Sequence, residues 1–368
     1  MVETPRKKYF ADILPPPRFL EMPSAGLDIS DERIRFLEIV NGKNGLVFGR
    51  YGEKNISPGI ISMGRIKNLP ELRKILINLK DEHNLDFVRV SLPEERAYLV
   101  KIDVPKVPES ELRESIGFQL EEHVPIPADE AVFDYLAIKE SKTKKEFLEV
   151  AVSAIPKKEM DVYLELFQGT GLTPLSFEIE ADAIGRAVIP AGDKGTYMVM
   201  DFGKNRSGIY IVSEGATRFT STIDIGSEAI TKIIKNHLGV TSAAEVEKIK
   251  NERGLSKSKD NQELFSALLE TVSVFRDEIN KHYLYWHNYE QSGGDKSIQK
   301  IILSGGGANL LGLPEYLSAS LKVPVEIGNP WINLNSFDRY IPPITKNKSL
   351  GYATVAGLAL RGYLEERL

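Results

Sequence analysis

Two stretches of this chain, "GLDISDERIRFLEI" (residues 26–39) and "VMDFGKNRSGIYIV" (residues 199–212), follow one plan. In each, an aspartate (Asp28, Asp201) sits between apolar residues, a short polar turn follows, and an apolar strand returns. Alternation on both sides of the turn predicts a β-hairpin, and its reappearance predicts a chain built from two similar halves. A carboxylate flanked by large apolar residues at a strand end is costly to bury unless it has a partner. In two pseudo-symmetric halves, both acids would point into the cleft between them. Such a pair suits a cation, most simply Mg2+ carrying phosphates. A second reading of Asp28 stands beside this one: a strand-end carboxylate capping neighbouring backbone N–H groups.

The rest of the chain fits an α/β organisation around those hairpins. At 368 residues with 42% hydrophobic content it can bury a core in each of two lobes. Strands are expected at Leu27–Ser30, Ile34–Ile39 and Leu46–Tyr51, then a helix over Leu69–His83 and the strand "DFVRVSL". Residues 93–155 read as an inserted β-α-β-β module: "AYLVKIDVP", a helix over Glu109–His123, "VFDYLAIKE", a charged loop Ser141–Lys145 and "EFLEVAVSAI". A helix over Lys157–Gly169, the strand "PLSFEIE" and a helix from Ala181 precede the second hairpin. Helices follow over Glu228–Leu238, through "AAEVEKIKNERGL" to Gly254, and from Gln262 to about Tyr289. The divisions expected are an arm (1–24), a first lobe (25–92 and 156–192) around the insertion, a second lobe (193–235 and 300–344) around a helical part (236–299), and a closing helix (345–368). In that last helix Gly351, Ala353, Ala356 and Gly357 would permit close packing on a neighbour.

Composition removes several classes of function. The 47 basic and 52 acidic residues give a net charge of −5 with no stripe suited to nucleic acid. There is no cysteine, which excludes disulfides, thiolate zinc sites and a cysteine nucleophile. His83, His123, His237, His282 and His287 are scattered and read as structural or surface residues. The leader has no apolar signal region and no segment is apolar enough to insert in a membrane, so the expected location is the cytoplasm. Pro15, Pro16 and Pro17 should hold that leader extended, with its apolar residues packed on the outside of the domain.

"LSGGGANLLGL" places three glycines, Gly305, Gly306 and Gly307, between an apolar strand and a helix. Bare backbone there can approach a ligand that side chains would block; a tight helix-capping turn explains one glycine but not three. "VEKIKNERGL" sets Glu247 and Lys250 one turn apart, either an exposed helix pair or a ligand contact. Lys204, Asn205 and Arg206 at the second turn either add positive charge beside phosphates or are simply solvated.

Together these residues resemble the actin-like ATPase superfamily, a duplicated two-lobed α/β fold of ribonuclease H-like type. Within it the chain is similar to the PilM-like proteins of type IV pilus inner-membrane assembly, related to FtsA. The resemblance covers nearly everything after Ser24. The stretch from "SLPEERAYLVKIDVP" through "HVPIPADEAVFDYLAI" resembles the inserted 1C subdomain of those proteins. The resemblance implies ATP and Mg2+ in the cleft. Asp28 and Asp201 would stand near the metal, Ser30, Gly203 and Ser207 near the phosphates, and Glu247, Lys250, Gly305, Gly306, Gly307 and Ala308 around the adenosine. Ser30 departs from the family's glycine, and Asp31 sets a negative charge beside the phosphate position; both oppose tight ATP binding.

The implied function is a scaffold, at most a weak ATPase, held at the inner face of the cytoplasmic membrane among other pilus inner-membrane components. Its partner would be the cytoplasmic N-terminal peptide of a PilN-like membrane protein. The peptide groove is expected between the first lobe and the insertion, along "AYLVKIDVP" and the Glu109–His123 helix, with Ile116, Phe118 and Leu120 as groove or core residues. An FtsA-like filament protein would add an amphipathic membrane helix beyond "ALRGYLEERL", and a small-molecule kinase of this fold would need a catalytic base. Trp331 in "GNPW" is expected to pack.

Overall fold

The computed structural model describes residues 23–43, 45–140, 146–258, 261–290 and 297–364. The arm as far as residue 22 and the charged loop 141–145 lie outside the described residues. The chain opens with β1 (Ser24–Ile29), β2 (Arg33–Gly42) and β3 (Gly45–Asn55), paired antiparallel. A small hairpin, β4 (Ile61–Ser62) and β5 (Arg65–Ile66), leads to α1 (Leu69–His83). The Asn68 side chain caps α1 by accepting from the Glu71 N–H, and the helix lays Leu72, Leu76 and Leu79 on the sheet. β6 (Phe87–Leu92) returns parallel to β1.

The insertion follows as β7 (Tyr98–Pro105), α2 (Glu109–His123), β8 (Ala131–Glu140) and β9 (Phe147–Pro156). Its sheet runs β7-β9-β8, and Leu112, Ile116 and Leu120 of α2 pack with Ile102, Val104, Val150 and Val152 as a separate small core. Then α3 (Lys157–Phe167), β10 (Thr173–Ile179) beside β6, and α4 (Glu180–Val188) complete the first half.

The second half begins with β11 (Thr196–Phe202), β12 (Ser207–Ser213) and β13 (Ala216–Ile223). The helices α5 (Ser227–Leu238), α6 (Ala243–Glu252) and α7 (Gln262–Glu290) come next, then β14 (Lys300–Ser304), α8 (Leu313–Leu321) and β15 (Val325–Ile327). The chain returns as α9 (Ala353–Leu364).

The two large sheets run β3-β2-β1-β6-β10 and β13-β12-β11-β14-β15. Counted among the strands of its own sheet, each has the order third, second, first, fourth, fifth, with antiparallel pairing among the first three strands and parallel pairing beyond. One route traced twice is the duplication that the hairpins suggest. The glycine run leaves β14 as a 3-10 turn, Gly306–Asn309, before α8 starts at Leu313.

A core shared by α4, α9 and both sheets joins the halves, and it includes Val188, Val199, Ile302, Val355 and Leu360. Trp331 belongs to this core, with its ring edge-on to Phe48 at 4.8 Å. The approach of α9 leaves no room for a methyl group. A Cβ on Gly357 would lie 1.7 Å from the Ala183 carbonyl oxygen, and one on Gly26 would lie 2.3 Å from that of Val355. The insertion reaches across to the second half, where β7 and β9 lie against β13. There the buried Arg218 guanidinium faces Glu149 of β9 at 3.4 Å, and Lys101 of β7 approaches the same carboxylate.

Replacing Gly357 by Val forces α9 off α4, and urea unfolding should show a loss of more than about 3 kcal/mol. Gly362→Ala, whose Cβ meets only the Arg89 guanidinium at 3.2 Å, should stay within about 1 kcal/mol of the parent.

Candidate functional site

The turns that follow β1 and β11 face each other across a cleft of about 730 Å³. Of the residues singled out in the sequence, Asp28, Ser30, Asp201, Gly203, Glu247, Lys250, Gly305, Gly306 and Gly307 line it. Ser207 and Ala308 stand behind the lining. The buried Ser207 hydroxyl donates to the Ile225 carbonyl at 2.7 Å, and Ala308 packs into the core of the second half.

The floor of the cleft is acidic. Asp28 is buried at the end of β1, opposite Arg35 in register, and accepts a hydrogen bond from the Ser91 hydroxyl at 2.8 Å. Burial pushes its carboxyl up, with Ser91 and Arg35 opposing. Asp201 is pushed up to about 7, first by burial and then by Asp28 and Glu95, against Arg35. Glu180, the first residue of α4, is pushed well up by burial and by Asp28, Glu95 and Asp201 in turn. Sequence reasoning missed Glu180, Glu95 and Arg35. The acid opening a helix in "FEIEADAI" was the one available signal for Glu180.

Among the described residues no three Asp, Glu or His side chains converge to hold a bare metal ion. Asp28 and Asp201 are the lining carboxylates that would hold a divalent cation. The residues fit such a group. The acids of the floor repel one another in a desolvated site, and Nη1 of Arg206 on the wall is buried without a partner. Bound there, Mg2+ would supply the positive charge that lets the floor carboxylates ionise.

Beside the floor, Gly305 holds a φ of +77°, and a Cβ there would meet the Phe202 carbonyl oxygen at 2.6 Å and Asp201 at 2.7 Å. Gly306 is exposed, with open space where its Cβ would be, so bare backbone faces the cleft. Lys250 of α6 is buried and donates to Glu247 at 2.8 Å. The two form one wall as a pair rather than as two free groups.

The turns themselves are not simply solvated. Asp31 accepts from the Met63 and Gly64 N–H groups at 3.1 and 3.0 Å, fixing the β4–β5 turn, and lies 3.3 Å from Arg206. The negative charge read beside the phosphate position is thus already matched. Lys204 meets Glu32 at 2.6 Å, and Arg206 also meets Glu95 at 2.9 Å.

Two further acids sit behind the floor where the insertion, α4 and β13 meet. Glu94, buried beside Thr220 and the Ala181 backbone without a well-formed hydrogen bond, is pushed up to about 7 by burial. Asp182, near Thr217, is pushed up to about 6, again chiefly by burial. Folding takes up protons wherever the folded value exceeds the unfolded one. Stability from these acids is therefore complete below the ordinary carboxylate values of 3.8 to 4.5 and is lost as pH rises through about 6 to 7. The melting temperature of the ligand-free protein should fall from pH 5 to pH 8, and Glu94→Gln should shrink that fall; a flat profile would contradict the assignment.

Known proteins share this architecture. A complex titled "PilM-PilN type IV pilus biogenesis complex" superposes with a TM-score of 0.73 at 20% identity, over 92% of this chain and 98% of that one. The ethanolamine utilization protein EutJ of Carboxydothermus hydrogenoformans gives 0.52 at 16% identity, over 94% and 90% of the two chains. MreB5 of Spiroplasma citri bound to ADP gives 0.53 at 12% identity, over 94% and 98%. The fold is the actin-like ATPase fold. The profile described as "Type IV pilus assembly protein PilM" matches residues 26–363, and with that match the chain belongs to the type IV pilus assembly protein PilM family.

Proposed function

We propose that this protein is a nucleotide-binding scaffold of type IV pilus assembly that docks a short peptide from a PilN-like membrane protein. The cleft carries the first half of this reading: two strand-end carboxylates and the open backbone of Gly306 line it, with an unpartnered arginine nitrogen on the wall. The similar MreB5 was solved with ADP and with AMPPNP. We assign Asp28 and Asp201 to the metal, Ser30 and Gly203 to the phosphates, and Gly305–Gly307 with Glu247 and Lys250 to the adenosine side. Ser207 and Ala308 support their loops from behind. Hydrolysis is optional in such a scaffold, because binding alone can bias the angle between the halves.

The similar complex pairs PilM with PilN. We place the peptide on another edge of the insertion than the expected strand and helix. β7 lies against β13, Ile116 and Leu120 fill the insertion's own core, and only Phe118 of the three is exposed. Unpartnered apolar positions lie on β8, an edge strand next to α3: Val132 and Leu136 on the strand, Leu164 on the helix. An extended peptide would add to that edge by backbone hydrogen bonds, with alternate side chains reaching Leu136 and Leu164. No helix among the described residues is long and apolar enough to cross a membrane, and in this reading the partner supplies the membrane tie.

Fluorescence anisotropy with the partner's N-terminal cytoplasmic peptide checks the docking face. Leu136→Asp and Leu164→Asp should each weaken binding at least tenfold without lowering the melting temperature, and unchanged binding would remove β8 as the site. Calorimetry with Mg-ATP checks the cleft: binding by the parent and its loss in Gly306→Val are expected, whereas no heat from the parent would refute nucleotide binding.

A further inference from the structure

We propose that Lys204 and Arg206 are the polyphosphate-binding cations of the cleft, and that Glu32, Asp31 and Glu95 occupy them as internal stand-ins for phosphate until a ligand displaces them. The inference rests on the reading of the cleft as a nucleotide site and names the residues that would read the phosphate chain.

The two hairpin turns carry opposite charge. The turn between β1 and β2 brings Asp31 and Glu32, the turn between β11 and β12 brings Lys204 and Arg206, and all four line the cleft. Lys204 Nζ reaches both Glu32 carboxylate oxygens at 2.6 and 2.8 Å. Arg206 reaches Asp31 at 3.3 Å and Glu95 at 2.9 Å. These ion pairs therefore join the first half to the second across the cleft.

Each turn is fixed to its own half by backbone. The Ser227 and Glu228 N–H groups at the start of α5 donate to the carbonyl oxygens of Gly203 and Lys204 at 2.9 Å. On the other side, Asp31 is held by the Met63 and Gly64 N–H groups. Side chains bridge the turns while the backbones stay with their halves, so an exchange of partner at Lys204 or Arg206 changes the contact between halves without unfolding either hairpin.

The pairs are built to exchange. Lys204 and Glu32 keep about half of their side-chain surface in water, 52% and 41%, where an ion pair is weak and screened. Arg206 is more enclosed, at 16%, and its Nη1 has no partner, leaving a donor for one further acceptor oxygen. A polyphosphate offers several charged oxygens to a planar guanidinium and an adjacent ammonium, a better match than separate carboxylates. Removing the Glu32 charge leaves Lys204 only the longer contact to Glu228 at 4.0 Å and takes away a repulsion beside the incoming phosphates.

Calorimetry with three probes tests this: Mg-tripolyphosphate, Mg-ATP and adenosine, each against the parent, Glu32→Gln and Lys204→Gln. Both positions are solvent-facing, and unchanged melting temperatures verify folding. Glu32→Gln should tighten tripolyphosphate and ATP by about threefold to tenfold and leave adenosine unchanged. Lys204→Gln should weaken both polyphosphates by about threefold or more, again sparing adenosine. If ATP binds the parent and neither substitution moves its affinity, the latch is wrong while the nucleotide reading stands. If tripolyphosphate follows the expected pattern but ATP and adenosine bind no protein, the latch stands and the nucleotide reading falls. No binding of any probe to any protein overturns both.

Discussion

Asp28 and Asp201 end equivalent strands of two equivalent sheets, and the desolvated cleft between them raises the cost of ionising both. Much of the molecule follows from that unfavourable juxtaposition. Burial at a strand end takes water from each carboxylate, and the duplication that repeats the strand order also brings the second acid toward the first. Arg35 and Ser91 offset part of the cost at Asp28. Glu180 and Glu95 add to it. In the proposed function such a site would be completed by a cation and its anionic ligand, and Gly306 in the lining would offer bare backbone to that ligand.

Three links of different stiffness join the halves. The tight contact of α9 with α4 and β1 is the rigid one, since it has no space for a side chain. The charged hairpin turns are the exchangeable one, made of side chains partly in water. Between them lies Arg218 of β13, buried against Glu149 in the insertion, a pair that is costly to break because either charge alone would be stranded away from water. β13 continues the hairpin that carries Lys204 and Arg206, so a change at those turns has a short path into the sheet that presents β8.

Much of this was legible in the sequence for a physical reason: it rests on local periodicity and on residues whose backbone or size is distinctive. The repeated aspartate hairpins announced both sheets, the three glycines announced the open backbone, and the small residues after Gly351 announced the close helix contact. Side-chain direction was harder. Ser207 reads as a phosphate neighbour from its place after the turn, but its hydroxyl is directed to the Ile225 carbonyl. Pairings between distant residues left no trace at all. Asp31 reads as an unpaired charge only until Arg206 and the Met63–Gly64 turn are brought beside it, and Lys204 reads as a solvated tip until Glu32 arrives. Glu94 and Glu95 carry no local pattern, and α4 and β13 together enclose Glu94.

The central claim is that the cleft and the inserted sheet belong to one ligand-responsive device. Hydrogen exchange with and without Mg-ATP measures it directly. The account predicts slower exchange in residues 28–33, 201–208 and 304–309, together with an altered rate in β8 or β9, which touch no part of the cleft. Protection confined to the cleft, with β8 and β9 unmoved, would contradict the claim.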